Sequence, residues 1–358
     1  MNFTLFGYPK AGKTTLFDIL TGAHVQVAAF EDGQRAPNEK ICPLPDARLD
    51  RISALYPEKK KSPAAADFID LAGISYGEVK NSVFLNALRK ADGLVHVVRG
   101  FHDEAVPHAK PAIAPADDIR AMEDELILAD LISAEGRLEK LDKDLKKMKS
   151  PEGEKERETL GRLRSHLETG RPLRDAPMAE TEEKQVRPFA FLSQKPILHM
   201  INADESDSRR LADVAAASGP RSRSSAVLAF CGKIEREISE VENEDDKRTF
   251  LAEYGLAEPT PDRFFPAALA VMSTIFFYTI GKDEVRAWPI RSASSALKAA
   301  GSIHSDIERG FIRAEVVPWS TLVELGSLQA AKDRGAIRLE GKDYVVRDGD
   351  VIYFRFAA

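Results

Sequence analysis

Apolar residues come in short runs along roughly the first 115 positions, with amphipathic stretches between them. Asn2–Phe6, Ala65–Ile69 and Leu94–Val98 read as strands, and Lys13–Leu20 has helical spacing. Leu94-Val95-His96-Val97-Val98 is nearly continuous in its apolar character, as a parallel strand buried on both faces must be. The alternation predicts a parallel sheet flanked by helices. The pattern then changes. Ile127, Leu131, Ala134, Leu138, Leu141, Leu145 and Met148 recur at alternating steps of four and three within a highly charged stretch, which predicts a heptad seam. Ser150-Pro151-Glu152-Gly153 is a turn signal, and Leu160, Leu163 and Leu167 resume the spacing. Two antiparallel helices, a coiled-coil hairpin, are expected.

The α/β pattern returns after about residue 188, with strands expected at Pro196–Ile201 and Val227–Phe230. The hairpin is therefore an insertion in the first domain. From residue 274 the chain changes again, to strands expected at Ile275–Thr279, Glu284–Ile290, Gly310–Val317, Asp343–Val346 and Val351–Phe356, around at most two short helices. The expected division is an α/β domain over 1–116 and 186–273, which the motifs below make nucleotide-binding, an inserted hairpin over 117–185, and a small α+β domain over 274–358.

Composition narrows the function classes. The net charge of −6 gives no global basic character, so nucleic-acid binding would need a local patch. Lys59-Lys60-Lys61 and the hairpin lysines Lys143, Lys146, Lys147 and Lys149 are the candidates, although such runs are more often solvated faces. No DNA-specific signal is seen. Cys42 and Cys231 supply neither a disulfide framework nor a metal quartet. The longest mostly apolar stretch, Pro266–Ile280, is shorter than a membrane span and contains Ser273 and Thr274. A cytoplasmic protein without a membrane partner is expected.

The chemistry begins at the end of the first strand. Gly7-Tyr8-Pro9-Lys10-Ala11-Gly12-Lys13-Thr14, followed by Thr15, matches the P-loop pattern between a strand and a helix. Glycines at 7 and 12 permit a tight loop whose N–H groups, including that of Ala11, point at an anion. Lys13 reaches the β- and γ-phosphates, Thr14 ligates Mg²⁺, and the following helix directs its positive end at the phosphates. Asp70-Leu71-Ala72-Gly73 follows a later strand, where an aspartate holds Mg²⁺ through water and the glycine N–H faces the γ-phosphate. Thr14 and Asp70 are thus the expected metal residues, with Lys13 and Gly73 completing the catalytic set. Asn202-Ala203-Asp204-Glu205 ends a strand where many GTPases carry Asn-Lys-x-Asp. A glutamate, one methylene longer, cannot reproduce the bidentate grip on guanine, so adenine preference is expected. Cys231-Gly232-Lys233 stands where such proteins place a base-contacting loop.

These motifs, in this order and with a hairpin between the second and third, resemble the YchF/EngD branch of the Obg-related NTPases. The likeness covers nearly the whole chain. It includes Pro43-Leu44-Pro45-Asp46-Ala47-Arg48, Ala91-Asp92-Gly93-Leu94-Val95-His96-Val97-Val98-Arg99, and Glu125-Leu126-Ile127-Leu128-Ala129-Asp130. It is most specific in Glu284-Val285-Arg286-Ala287-Trp288, Gly301-Ser302-Ile303-His304-Ser305-Asp306 and Gly341-Lys342-Asp343-Tyr344. The resemblance implies a C-terminal TGS domain of β-grasp fold, binding and hydrolysis of ATP as well as or better than GTP, association with ribosomes, and a monomer; structured RNA is a further expected partner, and slow turnover is expected from the residues below. The sequence departs from the family pattern in four places: Lys10 stands at the loop's usual Asn, Gln34 at the first switch Thr, the segment after Gly73 is short, and Cys231-Gly232-Lys233 replaces Ser-Ala-Lys. Ile74 after Gly73 has no polar group to orient water, and Arg35 and Arg99 are the arginines nearby in sequence. The alternative reading is a nucleotide-sensing module with little or no hydrolysis, in which hairpin and C-terminal domain do the recognition. His304 reads as a structural residue, Trp288 and Phe311 as core.

Overall fold

The computed structural model describes residues 1–23, 37–73, 82–104, 106, 112–219 and 224–357. Gln34, Arg35 and the short segment from Ile74 lie outside these residues. The described strands are, in chain order, β1 Asn2–Phe6, β2 Asn38–Pro43, β3 Lys60–Ser62, β4 Ala65–Asp70, β5 Gly93–Gly100, β6 Ile197–Ala203, β7 Ser225–Phe230, β8 Thr274–Ile280, β9 Glu284–Arg291, β10 Phe311–Pro318, β11 Arg338–Glu340 and β12 Asp350–Phe356. The chain forms two compact units, one of residues 1–41 with 67–271, the other of 42–66 with 272–358.

The first unit carries a sheet of order β2-β4-β1-β5-β6-β7, in which β1 is parallel to β4 and β5, and β6 is parallel to β5 and β7. The chain leaves β1 toward β4 and later returns on the other side through β5. The crevice at that reversal, beyond the carboxyl ends of the strands, is where open α/β sheets bind ligands. All seven residues of β6, and all but the last of β5, are buried, which is why their sequence lacks polar alternation.

The hairpin follows its heptads. A 33-residue helix, Pro115–Lys147, is followed by Pro151–Glu168. Ile127, Ala134, Leu138 and Leu141 face Leu160, Leu163 and Leu167 in one cluster, with Leu131 partly buried against it. Pro151 opens the second helix and Ser150 Oγ accepts the Gly153 N–H at 3.2 Å. The seam is shorter than the spacing predicted: Met148 is 76% exposed, because the first helix ends at Lys147 and Met148 is extended. The first turns of the long helix do a different job. Ile119 packs under β5 and β6 with Val98 and Ile201, and Met122 and Leu126 pack with Phe6 and Leu94. One continuous helix therefore belongs both to the core beneath the sheet and to the arm.

The second unit holds a sheet of order β11-β10-β12-β8-β9-β3, with one face packed by the small residues of the helix Ala296–Ile303. Trp288 and Phe311 pack partly buried on that cluster, as expected. Residues 42–66 belong to this unit rather than to the nucleotide-binding one in which the sequence boundary had placed them. The cause is local: β3 pairs with β9, Asp46 accepts from the Tyr278 hydroxyl at 2.6 Å, and Arg48 pairs with Asp348 at 2.7 Å. The lysine cluster is partly used here, since Lys59 donates to the carbonyls of Gly281 and Lys282 and Lys61 pairs with Asp50. Asp343–Val346 is not a strand. Val345 makes only an isolated bridge to Ser295, while Asp350 ties the turn by accepting from Tyr344 Oη and Arg347 N, and β11 pairs with β10. Four helices occur where two at most were expected: Ala296–Ile303, Ser305–Arg309, Trp319–Leu325 and Leu328–Asp333. Ser295, Ser327 and His304 each cap one by accepting a backbone N–H. His304 is exposed, and the cap is its visible role.

Candidate nucleotide site

Every expected phosphate-site residue gathers at the carboxyl ends of β1 and β4. The loop Gly7–Gly12 leads from β1 into the helix Lys13–Thr21. Gly7 has φ of 145°, and a Cβ there would sit 2.3 Å from the Val97 carbonyl oxygen. Gly12 has φ of 96°, and its Cβ would lie 2.3 Å from Asn202 Nδ2. Both positions require glycine on steric and dihedral grounds together. Lys10 is left-handed at φ 60°, uncommon for a residue with a side chain. Lys13 is 2% exposed, and its ammonium donates to the Tyr8 carbonyl at 3.1 Å.

Thr14 Oγ1 donates to Asp70 Oδ2 at 2.8 Å, and Asn38 Nδ2 donates to the same oxygen at 3.0 Å. Magnesium favours hard oxygen ligands in an octahedron at about 2.1 Å, so neighbouring ligands stand about 3 Å apart. The Thr14 and Asp70 oxygens fit that spacing, and Asp70 is buried enough to be fixed. Gly73 stands three residues after Asp70, at the limit of the described segment. No group of three or more His, Cys, Asp and Glu side chains suited to a metal occurs among the described residues.

Beside the loop opens a cleft of about 870 Å³. Lys10, Gly12, Lys13, Thr14 and Thr15 line one end, and Asn202, Glu205, Gly232 and Lys233 the other. Asn202 does something the motif did not suggest. Its Nδ2 donates to the Ala11 carbonyl at 3.2 Å and its Oδ1 accepts the Gly232 N–H at 3.0 Å. It stitches the phosphate loop to the base loop, and a Cβ on Gly232 would strike the same Oδ1 at 2.8 Å. Glu205 is half exposed and ion-paired with Lys233 across the mouth of the cleft. Cys231 is buried, and burial pushes its thiol up to about 11, so it acts as a small apolar residue that starts the helix Gly232–Ser239.

These motifs and the sheet order can be set against known proteins. The N-terminal residues 2–156 match a family profile described as 50S ribosome-binding GTPase, and residues 274–357 match the YchF-GTPase C-terminal family, described as a protein of unknown function. The ribosome-binding ATPase YchF of Bacillus subtilis (strain 168) is 39% identical over 98% of both chains. The chain belongs to the YchF family. Obg-like ATPase 1 of Oryza sativa subsp. japonica is 32% identical over 98% of this chain and 91% of its own. The structure of the Schizosaccharomyces pombe YchF GTPase superposes with a TM-score of 0.81 at 25% identity, covering 99% of this chain and 97% of that one.

Within this YchF-family chain, several cleft residues escaped the sequence reading. Phe101, His102, Asp103 and Val106, following β5, line the cleft. Asp204 accepts from Ser206 N and from His102 N, so it ties the β5 loop to the β6 loop, and those two amides hold its carboxyl below the usual range. The Asp-x-Ser spacing at 204–206 was the available signal, a short-range side-chain cap. Glu235 is buried and accepts from Cys231 N, Thr260 N and Arg263. Arg99 does not face the phosphate end: its guanidinium donates to the Phe101 carbonyl and lies 4.4 Å from that ring's centroid.

Proposed function

We propose that this chain binds a purine nucleoside triphosphate with Mg²⁺, ATP ahead of GTP, hydrolyses it slowly, and works as a ribosome-associated switch. The observation that carries the reading is the placing of Lys13 and Thr14 at one end of the 870 Å³ cleft, with Asp70 hydrogen-bonded to Thr14 and Asn202 fixing the loop against the base end. Thr14 and Asp70 would hold Mg²⁺, which when bound neutralises charge on the phosphate oxygens. Lys13 and the loop amides hold and orient the phosphates. The relatives' names, ribosome-binding ATPase and Obg-like ATPase, support both the nucleotide and the partner. The hairpin and a TGS-like C-terminal domain over 274–358 are the proposed ribosome- or RNA-facing parts, and the protein is expected to act as a monomer. The short segment after Gly73 favours the nucleotide-sensing module as the second reading.

Base preference rests on Glu205, which Lys233 already occupies. Calorimetry is expected to give an affinity for ADP at least about tenfold above that for GDP, within the range one bidentate contact commands. A guanine preference would overturn the assignment of Glu205. Lys10 makes a separate point. It puts a fixed cation on the rim of the phosphate end. Hydrolysis is therefore expected to proceed at equal rates in Na⁺ and K⁺ buffers, and strong K⁺ stimulation would count against that role for Lys10.

A further inference from the structure

Beneath the phosphate loop lies a buried polar chain that phosphate binding does not use. His96 on β5 and His199 on β6 are direct neighbours in the parallel register, and their Nδ1 atoms are 3.0 Å apart. His199 Nε2 lies 3.3 Å from Glu123 Oε1 on the long arm helix, an electrostatic contact at a distance where hydrogen-bond alignment is not met. Arg174, which follows the second arm helix, donates to both Glu123 oxygens at 2.7 and 2.9 Å. All four side chains are at most 1% exposed. At the other end, the His96 ring packs against Phe6 and Tyr8, and its Cδ2 would be 3.3 Å from a Cβ on Gly7. Nε2 is bonded to Cδ2, so this nitrogen is on the loop-facing edge, and it has no hydrogen-bond partner. Four polar side chains buried at this depth call for an explanation beyond packing.

The proton positions follow from the charges. Glu123 is anionic, so the His199 nitrogen facing it carries the proton. A single proton on His199, held on that nitrogen, leaves its Nδ1 as an acceptor, so that His96 donates from Nδ1. That leaves the His96 Nε2 as a bare lone pair toward the loop. Burial holds His96 well below the ordinary imidazole value, which keeps it neutral.

We propose that His96 and His199 are positioning residues that couple the phosphate loop to the helical arm: Glu123 orients His199, His199 sets the tautomer of His96, and His96 offers its lone pair to the N–H groups of the loop. The arm helix is continuous from Glu123 into the hairpin, so a change in loop geometry on nucleotide binding reaches the arm through one rigid element. Coupling is reciprocal: whatever holds the arm changes nucleotide affinity by the same factor. The inference rests on the nucleotide reading above.

Two variants of the full-length chain separate a relay from packing. Glutamine at 199 keeps a donor toward Glu123 and an acceptor toward His96, whereas phenylalanine keeps the ring shape and neither group. His199→Gln is expected to hold ADP affinity within about threefold, and His199→Phe to lower it about tenfold, inside the usual range of coupling. Affinity in His199→Phe equal to or better than in His199→Gln would overturn the relay. Ring-¹⁵N histidine spectra of the unmodified protein guard against a variant that fails to fold. His96 is expected in the Nδ1–H form, with its Nε2 signal moving when ADP saturates the site by calorimetry. An Nε2–H form, or an unmoved signal in saturated protein, overturns the coupling. Absence of ADP binding with the Nδ1–H form intact overturns the nucleotide reading instead.

Discussion

Replacing Lys13 by alanine is expected to lower single-turnover hydrolysis of ATP by about two to three orders of magnitude, the scale of losing one preorganised charge at a reacting centre. Lys13 is placed for that task at some cost. An ammonium 2% exposed must find acceptors, and the Tyr8 carbonyl supplies one at 3.1 Å. A polyphosphate competes for this cation with far more charge than a single carbonyl. The glycines at the two ends of the loop before it keep the backbone close enough for the loop amides to assist: Gly7 is pinned under Val97 O and Gly12 against Asn202. The fold should tolerate the change, because it removes a buried charge and costs the Tyr8 carbonyl one donor. Thermal unfolding of both proteins, beside quench-flow measurements with ATP and GTP, checks that point. A loss under tenfold would show that Lys13 does not neutralise the transferring group. No measurable turnover in the parent protein would favour the nucleotide-sensing module over the slow NTPase.

The phosphate loop could be read from the sequence because its chemistry is local. Eight consecutive residues between a strand and a helix fix the geometry, and the distances Thr14–Asp70 and Lys13–Tyr8 follow from it. The arm could be read because a heptad is periodic, and its failure at Met148 came where periodicity continued one step beyond the helix. What escaped depends on pairing across the chain. Residues 42–66 look like part of the α/β alternation, and only the β3–β9 ladder and the Tyr278–Asp46 bond show which unit holds them. Asn202 reads as a base ligand because its motif is known for that, yet both ends of its amide are taken by the backbone of two loops. His96 and His199 sit inside runs that read simply as buried strands. A histidine within such a run is a visible oddity, but two of them face each other only once β5 and β6 are in register. Glu123 and Arg174 are separated by the entire hairpin, so nothing local links them.

Glu123 carries the largest expected effect on stability. Glu123→Gln is expected to lower the unfolding free energy near neutral pH by about 3 kcal/mol, the usual loss when one member of a buried ion pair is removed. Arg174 would be left buried opposite a neutral amide, with one of its NH₂ groups already lacking a partner. The pH dependence follows from the same contacts. Burial alone would raise the Glu123 carboxyl, but His199 and Arg174 outweigh it and bring the carboxyl from an ordinary 4.5 down to about 2. A carboxyl depressed in the folded state contributes stability that is complete above its unfolded value and is lost as pH falls toward its folded one. The advantage of the parent protein over Glu123→Gln should therefore be constant above about pH 5. By pH 3, between the two values, it should fall to about half, since the unfolded carboxyl is then protonated and the folded state must release that proton to keep the ion pair. Urea unfolding of both proteins from pH 6 to pH 3 measures the difference directly, and charges elsewhere cancel because they are common to both. A gap that stays level across that range would mean that the carboxyl is not depressed by folding, and one that shrinks as pH rises would mean that Glu123 is not ionised in the folded protein. In that case it could not fix the proton on His199, and the tautomer assigned to His96 would fall with it.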